Sequence, residues 1–315
     1  MKKLVINEDP VIFHNTGFQT ILIRVCFPFK KDGEFAKIEL LPNMLNYFNN
    51  KYSTEEKFMT EKQKLFIISS RCYYDKVGDL NFFTFTFSIP NKDILNVDLY
   101  EKQFEFFSNF IYNPKVIKGS FSDKELEREK KNLRIGMKNW LDYPRDFAIV
   151  ESKKIVDDSG LLSDDIFAHA DQIDNVTGEN LYDYYLDKIY NNDPLVYIMG
   201  DVDDKYFSNL AKKYLYQKKV KKNIIKYNSY NYLLPKKSVN NIVEKSNFNN
   251  SIILYYYKVK DIKPKDEVYL YIVCQLLSST SSRLLSKKLR DENDLVYSDF
   301  SIYNKEFGFL RIEAS

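Results

Sequence analysis

Residues 18–30, FQTILIRVCFPFK, decide the fold. The run is rich in Ile, Val and Phe and reads as a β-strand. EFAKIELLPNMLNYFNN (34–50) follows as a helix. STEEKFMTEKQKLF (53–66) is a second helix, with Ser53 or Thr54 as N-cap and acidic residues in its first turn. IISSRCYYDKVG (67–78) and LNFFTFTFSI (80–89) then alternate as two strands. The same order returns from residue 251: a strand (SIILYYYKVK), a helix (KDEVYLYIVCQLLSS), a helix (SSRLLSKKLRDEN) and two strands (DLVYSDFSIYNKEFG, FLRIEAS). Lengths and spacing match, with Ile21 and Ile252 in corresponding places. Such an internal repeat predicts two like domains; the alternative, a chance likeness among mixed chains, stays open at this point.

After its strands the first copy continues through a long helix (98–112), another from Ser122 to Asp142, a strand DPLVYIMGDVD (193–203) and a helix KYFSNLAKKYLY (205–216). The second copy shows no such continuation. A sheet needs a layer on its apolar face, so the second domain is expected to be incomplete, or to be covered by something else. The expected organisation is an N-terminal domain over 1–216, a linker over 217–245 and a partial second domain over 246–315. The linker's lysines read as a solvated stretch, because arginine is scarce and no nucleic-acid motif is present.

Composition narrows the function classes. Forty-seven Lys and Arg against 44 Asp and Glu leave a formal charge of +3, so no strong field favours nucleic acid or a membrane surface. Only eight of those basic residues are arginine, which makes each arginine's position informative. Cys26, Cys72 and Cys274 are odd in number and widely spaced, which predicts free thiols and a reducing, cytoplasmic setting. The opening MKKLVINEDP has too short an apolar run for a signal peptide. Nothing approaches the ~18 apolar residues of a membrane span. His14 precedes a predicted NTG hairpin turn and His169 lies in a predicted helical stretch; neither has a metal-ligand spacing.

Three stretches, SDKELEREKKNL (122–133), VYIMGDVD (196–203) and SSRLLSKKLRDENDLVY (281–297), resemble the insulinase/pitrilysin family of zinc metallopeptidases, including the paired subunits of mitochondrial processing peptidase. The resemblance spans nearly the whole chain. It implies an α+β fold of two repeated α/β-roll domains, each a mixed sheet with helices on one face. In that family two such halves form one side of a closed chamber. Peptide-cutting members carry H-x-x-E-H on the first helix of the first unit, where residues four apart share a face and two imidazoles hold one zinc while the glutamate polarises its water. The matching stretch is ELLPN: Glu39 stands at the first histidine, Pro42 at the glutamate and Asn43 at the second histidine. The family's third ligand falls on Gly136, and Glu129 matches an accessory glutamate. In the helix itself, Leu126, Leu133, Met137 and Trp140 form a predicted apolar stripe that Glu129 borders, and a glycine at 136 suits close packing. A hard cation on Glu39 and Asn43 alone would have too few oxygens. The expectation is that this chain binds no cofactor, and that zinc belongs to a partner.

The same resemblance places an arginine and a tyrosine of the second unit opposite the zinc, where they hold the substrate backbone and stabilise the oxyanion. Ser282, Arg283 and Leu284, then Leu289, Arg290 and Tyr297, match those surroundings, and Arg290 and Tyr297 keep the spacing of seven. By strand alternation Val296, Ser298, Phe300 and Ile302 share one face, and Tyr297 falls on the more polar one with Asp299 and Ser301. Arg290 near a helix C-terminus is also well placed for the dipole whatever its role, and Tyr297 is one of 25 tyrosines. The resemblance implies a subunit that is inactive alone and lends Arg290 and Tyr297 to a zinc-bearing paralogue, or works as a homodimer, on short peptides. The rival expectation is a non-catalytic scaffold of a larger complex.

Overall fold

A computed structural model describes residues 2–6, 11–46, 49–157, 160–216, 223–227, 248–259, 262–279 and 284–315. Among the described residues ten strands run β1 (Lys2–Ile6), β2 (Val11–Asn15), β3 (Thr20–Lys30), β4 (Ser69–Val77), β5 (Leu80–Pro90), β6 (Leu195–Gly200), β7 (Asn223–Tyr227), β8 (Ile253–Lys258), β9 (Asp299–Asn304) and β10 (Phe309–Ala314). The helices are α1 (Phe35–Leu45), α2 (Glu55–Lys64), α3 (Lys92–Leu95), α4 (Tyr100–Tyr112), α5 (Asp123–Asp142), α6 (Pro144–Val156), α7 (Gln172–Asn175), α8 (Gly178–Tyr185), α9 (Asp204–Tyr214), α10 (Glu267–Cys274) and α11 (Leu284–Ser286). Helices α8, α10 and α11 each run on into a π-helical turn, at Leu186–Tyr190, Gln275–Ser279 and Lys287–Asp291. Among the described residues no helix is long and apolar enough to cross a membrane.

Two units divide the chain: Met1–Leu133 with Ala170–Asn228, and Arg134–His169 with Ser229–Ser315. Residues 134–169 therefore group with the C-terminal residues, and the stretch read as a linker over 217–245 contains β7, which pairs antiparallel with β1. The rest of that stretch lies outside the described residues.

The first unit is built on a mixed five-stranded sheet in the order β2-β6-β3-β5-β4. Period-2 alternation puts Ile21, Ile23, Val25 and Phe27 of β3 beside Ile89, Phe87, Phe85 and Phe83 of β5 on one face, all fully buried. Helix α4 covers that face: Phe107 stacks on Phe87 at 4.0 Å between ring centres, and Phe110 meets Phe85 edge-on at 6.0 Å. Such ring pairs add about 0.5–1.5 kcal/mol each beyond their burial. The phenols satisfy helix C-termini: Tyr185 donates to the Ile111 carbonyl of α4 at 2.9 Å and Tyr112 to the Leu215 carbonyl at the end of α9 at 2.6 Å. His14 lies on β2, which neighbours β6 in parallel, so β6 separates β2 from β3 and the NTG turn closes no hairpin.

Gly178 opens α8 behind a capping box of Thr177 and Asn180. A β-carbon there would collide with the Phe121 carbonyl oxygen and the Ser120 hydroxyl. Gly178→Ala is expected to destabilise the first unit by about 1–3 kcal/mol, as other overpacked sites do; urea unfolding followed by far-UV circular dichroism would measure it, and an unchanged midpoint would refute the close approach.

The second unit's sheet is antiparallel, in the order β8-β10-β9. That order repeats β3-β5-β4 of the first unit. Tyr255 faces Ile312, which faces Ser301, as Val25 faces Phe85 and Phe85 faces Cys72. On one side of the sheet Phe309 packs with Phe307 and Leu162, while Tyr256 bonds Ser152 of α6 at 2.6 Å. His169 lies in a run of turns rather than in a helix, with Nε2 2.8 Å from Asp164 Oδ1.

Candidate functional site

Helix α1 continues through Pro42 to Leu45, although Pro42 lacks the amide hydrogen that an interior position supplies. Its buried Ala36, Ile38, Leu40, Leu41, Met44 and Leu45 hold it in place. Its N-terminus is capped from far along the sequence: Gln172 accepts from the Ala36 amide at 3.3 Å and donates to the Gly33 carbonyl at 2.9 Å. No local pattern announces a cap 136 residues away. Beside it a cavity of about 350 Å³ is lined by Glu34, Lys37, Asn175 and Asn180 among others.

One turn apart on α1, Glu39 and Asn43 are half-buried, and Pro42 between them is buried. Two oxygen donors and no imidazole do not fit the zinc that the sequence motif implies elsewhere in the family. The remaining positions add nothing to a ligand set. Glu129 on α5 is 4% exposed, with Oε1 3.3 Å from both Arg128 Nε and Asn132 Nδ2. Gly136 is exposed, and a β-carbon there would meet nothing within 4 Å, so the predicted close packing at Gly136 is absent. The predicted stripe on α5 also fails beyond Leu126: Leu133 and Met137 are half-buried and Trp140 is exposed. Among the described residues no three His, Cys, Asp or Glu side chains come together as a metal site. The three cysteines are free thiols, and burial pushes each above its ordinary pKa, against a nucleophilic role.

Arg290 lies in the π-helical turn that extends α11. Its Nε donates to the neighbouring Asp291 carboxylate at 3.0 Å, and 43% of the side chain remains exposed. The turn is closed by its own backbone: the Asp294 amide donates to the Arg290 carbonyl at 2.9 Å and the Leu295 amide to the Leu289 carbonyl at 2.8 Å. Asp294 takes φ = 51°, a left-handed conformation in which Asp is among the better tolerated residues. Ser286 donates to Asp299 across the reversal. Ser282 and Arg283 lie outside the described residues.

Tyr297 precedes β9 rather than lying in it. Its amide donates to the Ser315 carbonyl at 2.6 Å, and Ser298 and Ser315 exchange backbone bonds beside it. The backbone is thus pinned while the side chain, 89% exposed, projects into solvent. The strand faces are the reverse of the alternation reading. Ser301 and Tyr303 are the buried ones, Ser301 donating to the Cys274 carbonyl at 2.8 Å and Tyr303 meeting the Tyr271 ring at 5.6 Å. Phe300 and Ile302 stay partly exposed, at 38% and 40%. Satisfied hydroxyls tolerate burial, which alternation of polar and apolar letters does not show.

Comparison with known proteins follows the same lines. Residues 175–315 match the family model described as "Peptidase M16 inactive domain". The chain is 21% identical over 197 residues to "Probable inactive metalloprotease YmfF" of Bacillus subtilis, a match spanning 62% of this chain and 46% of that protein. It thus spans less than half the length of that relative. A conserved protein from Enterococcus faecalis V583 superposes with a TM-score of 0.74 at 17% identity, over 99% of this chain and 75% of the other. A chain of complex III2 from Candida albicans gives 0.56 at 11% identity, over 96% and 68%. At these identities the likeness to solved structures is one of fold. That fold extends over the whole chain, and residues 175–315 are similar to the peptidase M16, insulinase-like inactive-domain family.

Proposed function

We propose that this chain is the non-zinc subunit of a two-chain insulinase-like peptidase, presenting Arg290 and Tyr297 to a short peptide held at the metal of a partner. In this reading the two units are copies of one α/β roll. The carrying observation is the placement of Tyr297, whose backbone is fixed by Ser315 while its phenol stands clear of the core. Arg290 supports it: its guanidinium bonds the adjacent Asp291, at the end of a turn that its own carbonyl helps to close. The guanidinium holds the substrate backbone and the phenol donates to the oxyanion of the hydrated carbonyl. Helix α1, with Glu39, Pro42 and Asn43, supplies neither metal nor base, so the chain has no turnover alone.

The match to a chain of complex III2 favours a second reading, in which the chain serves as a non-catalytic scaffold of a larger assembly. Mixing separates the two. The purified chain is expected to hold less than stoichiometric zinc by elemental analysis and to leave a fluorogenic peptide intact. An insulinase-like subunit with an intact H-x-x-E-H motif, from the same source, should cleave that peptide only when the chain is added. No gain over the partner alone would leave the scaffold reading in its place.

A further inference from the structure

We propose that Asn46 closes the edge of the first unit's sheet, its side-chain amide holding β4 against pairing with the β4 of a second copy. Strand β4 ends the order β2-β6-β3-β5-β4, and among the described residues β5 is its only strand neighbour. Its residues, Ser69–Val77, pair with β5 in one unbroken register from Ser88 to Leu80. An edge of that length presents a row of amides and carbonyls on which another strand can form. Proline and β-bulges are common ways of breaking such a row, and β4 contains neither. Ile68, just before the strand, and Val77, at its end, are exposed and add apolar surface beside the edge.

Asn46 meets the row at Cys72. The Cys72 amide donates to Asn46 Oδ1 at 2.6 Å, and Asn46 Nδ2 donates to the Cys72 carbonyl at 2.8 Å. A neighbouring antiparallel strand would give Cys72 the same exchange of two bonds. A primary amide carries an acceptor and a donor side by side and can imitate it. By alternation the backbone groups of Ser70, Cys72 and Tyr74 turn to this outer side, and those of Arg71 and Tyr73 turn to β5. The amide therefore sits at the middle of the edge. Its backbone is itself fixed: Asn46 is the C-cap of α1 and donates to the Pro42 carbonyl at 3.0 Å, next to buried Met44 and Leu45. A helix packed in the core thus carries the side chain to Cys72. Further along the same edge the Lys76 amide donates to the Asp75 carboxylate at 2.9 Å, a second bond closed by a side chain. The proposal needs neither Arg290 nor a zinc partner.

Amide hydrogen exchange and sedimentation of the whole chain test it. In the parent, the Cys72 amide should exchange about a hundredfold or more slower than in an unstructured peptide, at a rate independent of chain concentration. In dilute Asn46→Ala it should exchange about tenfold or more faster than in the parent, while the amides of α1 keep their rates. As that variant is concentrated, sedimentation velocity should show association beyond that of the parent. Exchange should then slow at Ser70 and Cys72 but not at Arg71 and Tyr73, the every-second-residue mark of strand addition. Asn46→Asp, whose carboxylate accepts from the Cys72 amide but donates nothing to its carbonyl, should fall between the two. An unprotected Cys72 amide in the parent overturns the proposal without any variant. So does a Cys72 rate unchanged in both variants, or an opened Cys72 with no added association. Loosening that spreads through α1, or a dimer whose slowed amides lie outside β4, also overturns it and leaves Asn46 as a helix cap alone.

Discussion

Tyr297→Phe is expected to lower the kcat of the assembled pair by about 10²- to 10³-fold, the loss found when one oxyanion donor, about 2.7–4 kcal/mol, is removed. The isolated chain holds this phenol 89% exposed, where its hydrogen bonds are exchanged with water and stabilise nothing. Its effect arises once a partner excludes water around it, because electrostatic stabilisation rises as the local dielectric falls. The variant keeps the ring and the backbone bond to Ser315, so KM should change little. Arg290→Ala should behave differently, raising KM as well as lowering kcat, since in the proposed reading the guanidinium holds the substrate backbone. Tyr143→Phe, at another exposed phenol (64%) of the same unit, serves as the control and should leave both constants unchanged. Turnover within twofold of the parent for Tyr297→Phe would assign the chain to the scaffold reading.

The order of elements was legible because it rests on hydrophobic period. The alternation of Ile21 to Phe27 and Phe83 to Ile89 gave the two central strands, and Thr54 proved the N-cap of α2, accepting from the Lys57 amide at 3.3 Å. What periodicity missed depends on partners distant in sequence. Tyr297 was read into a regular strand, but β9 begins only at Asp299, where Ala314 pairs with it, and the chain arrives through the left-handed turn at Asp294. Ser301 looked like a solvent-facing letter because its acceptor, the Cys274 carbonyl, is 27 residues away. The stripe on α5 ended at Leu126 because helical spacing says which residues share a face, not whether anything packs against it. At the site, the sequence gives only residue types on α1: neither Glu39 nor Asn43 carries an imidazole.

Glu313→Ala should cost the second unit about 3 kcal/mol. Glu313 is 4% exposed and lies between two guanidiniums, with Arg145 Nε 2.5 Å from Oε2 and Arg311 Nη2 2.7 Å from Oε1. Arg145 also sits over the Phe300 ring at 5.3 Å, so one cluster ties α6 to β9 and β10. Breaking a buried ion pair by removing one member costs about 3–5 kcal/mol, because the remaining charge is left desolvated. The lower end applies here: Arg145 is 45% exposed and can turn to water, whereas Arg311, at 13%, cannot do so without disturbing the sheet. Glu313→Gln should be nearly as costly, since both oxygens accept from arginine and an amide nitrogen would point one donor at another. Trp140, the single tryptophan, belongs to this unit, so its fluorescence during urea unfolding reports the loss locally. With an m-value of about 1–3 kcal/mol/M, the midpoint should fall by about 1 M or more. The first unit, followed by circular dichroism in the same titration, should unfold where it did before. An unchanged tryptophan midpoint in both variants would mean that Phe309, Phe307 and Leu162 hold the sheet without the ion cluster, and that Arg145 is free for another use.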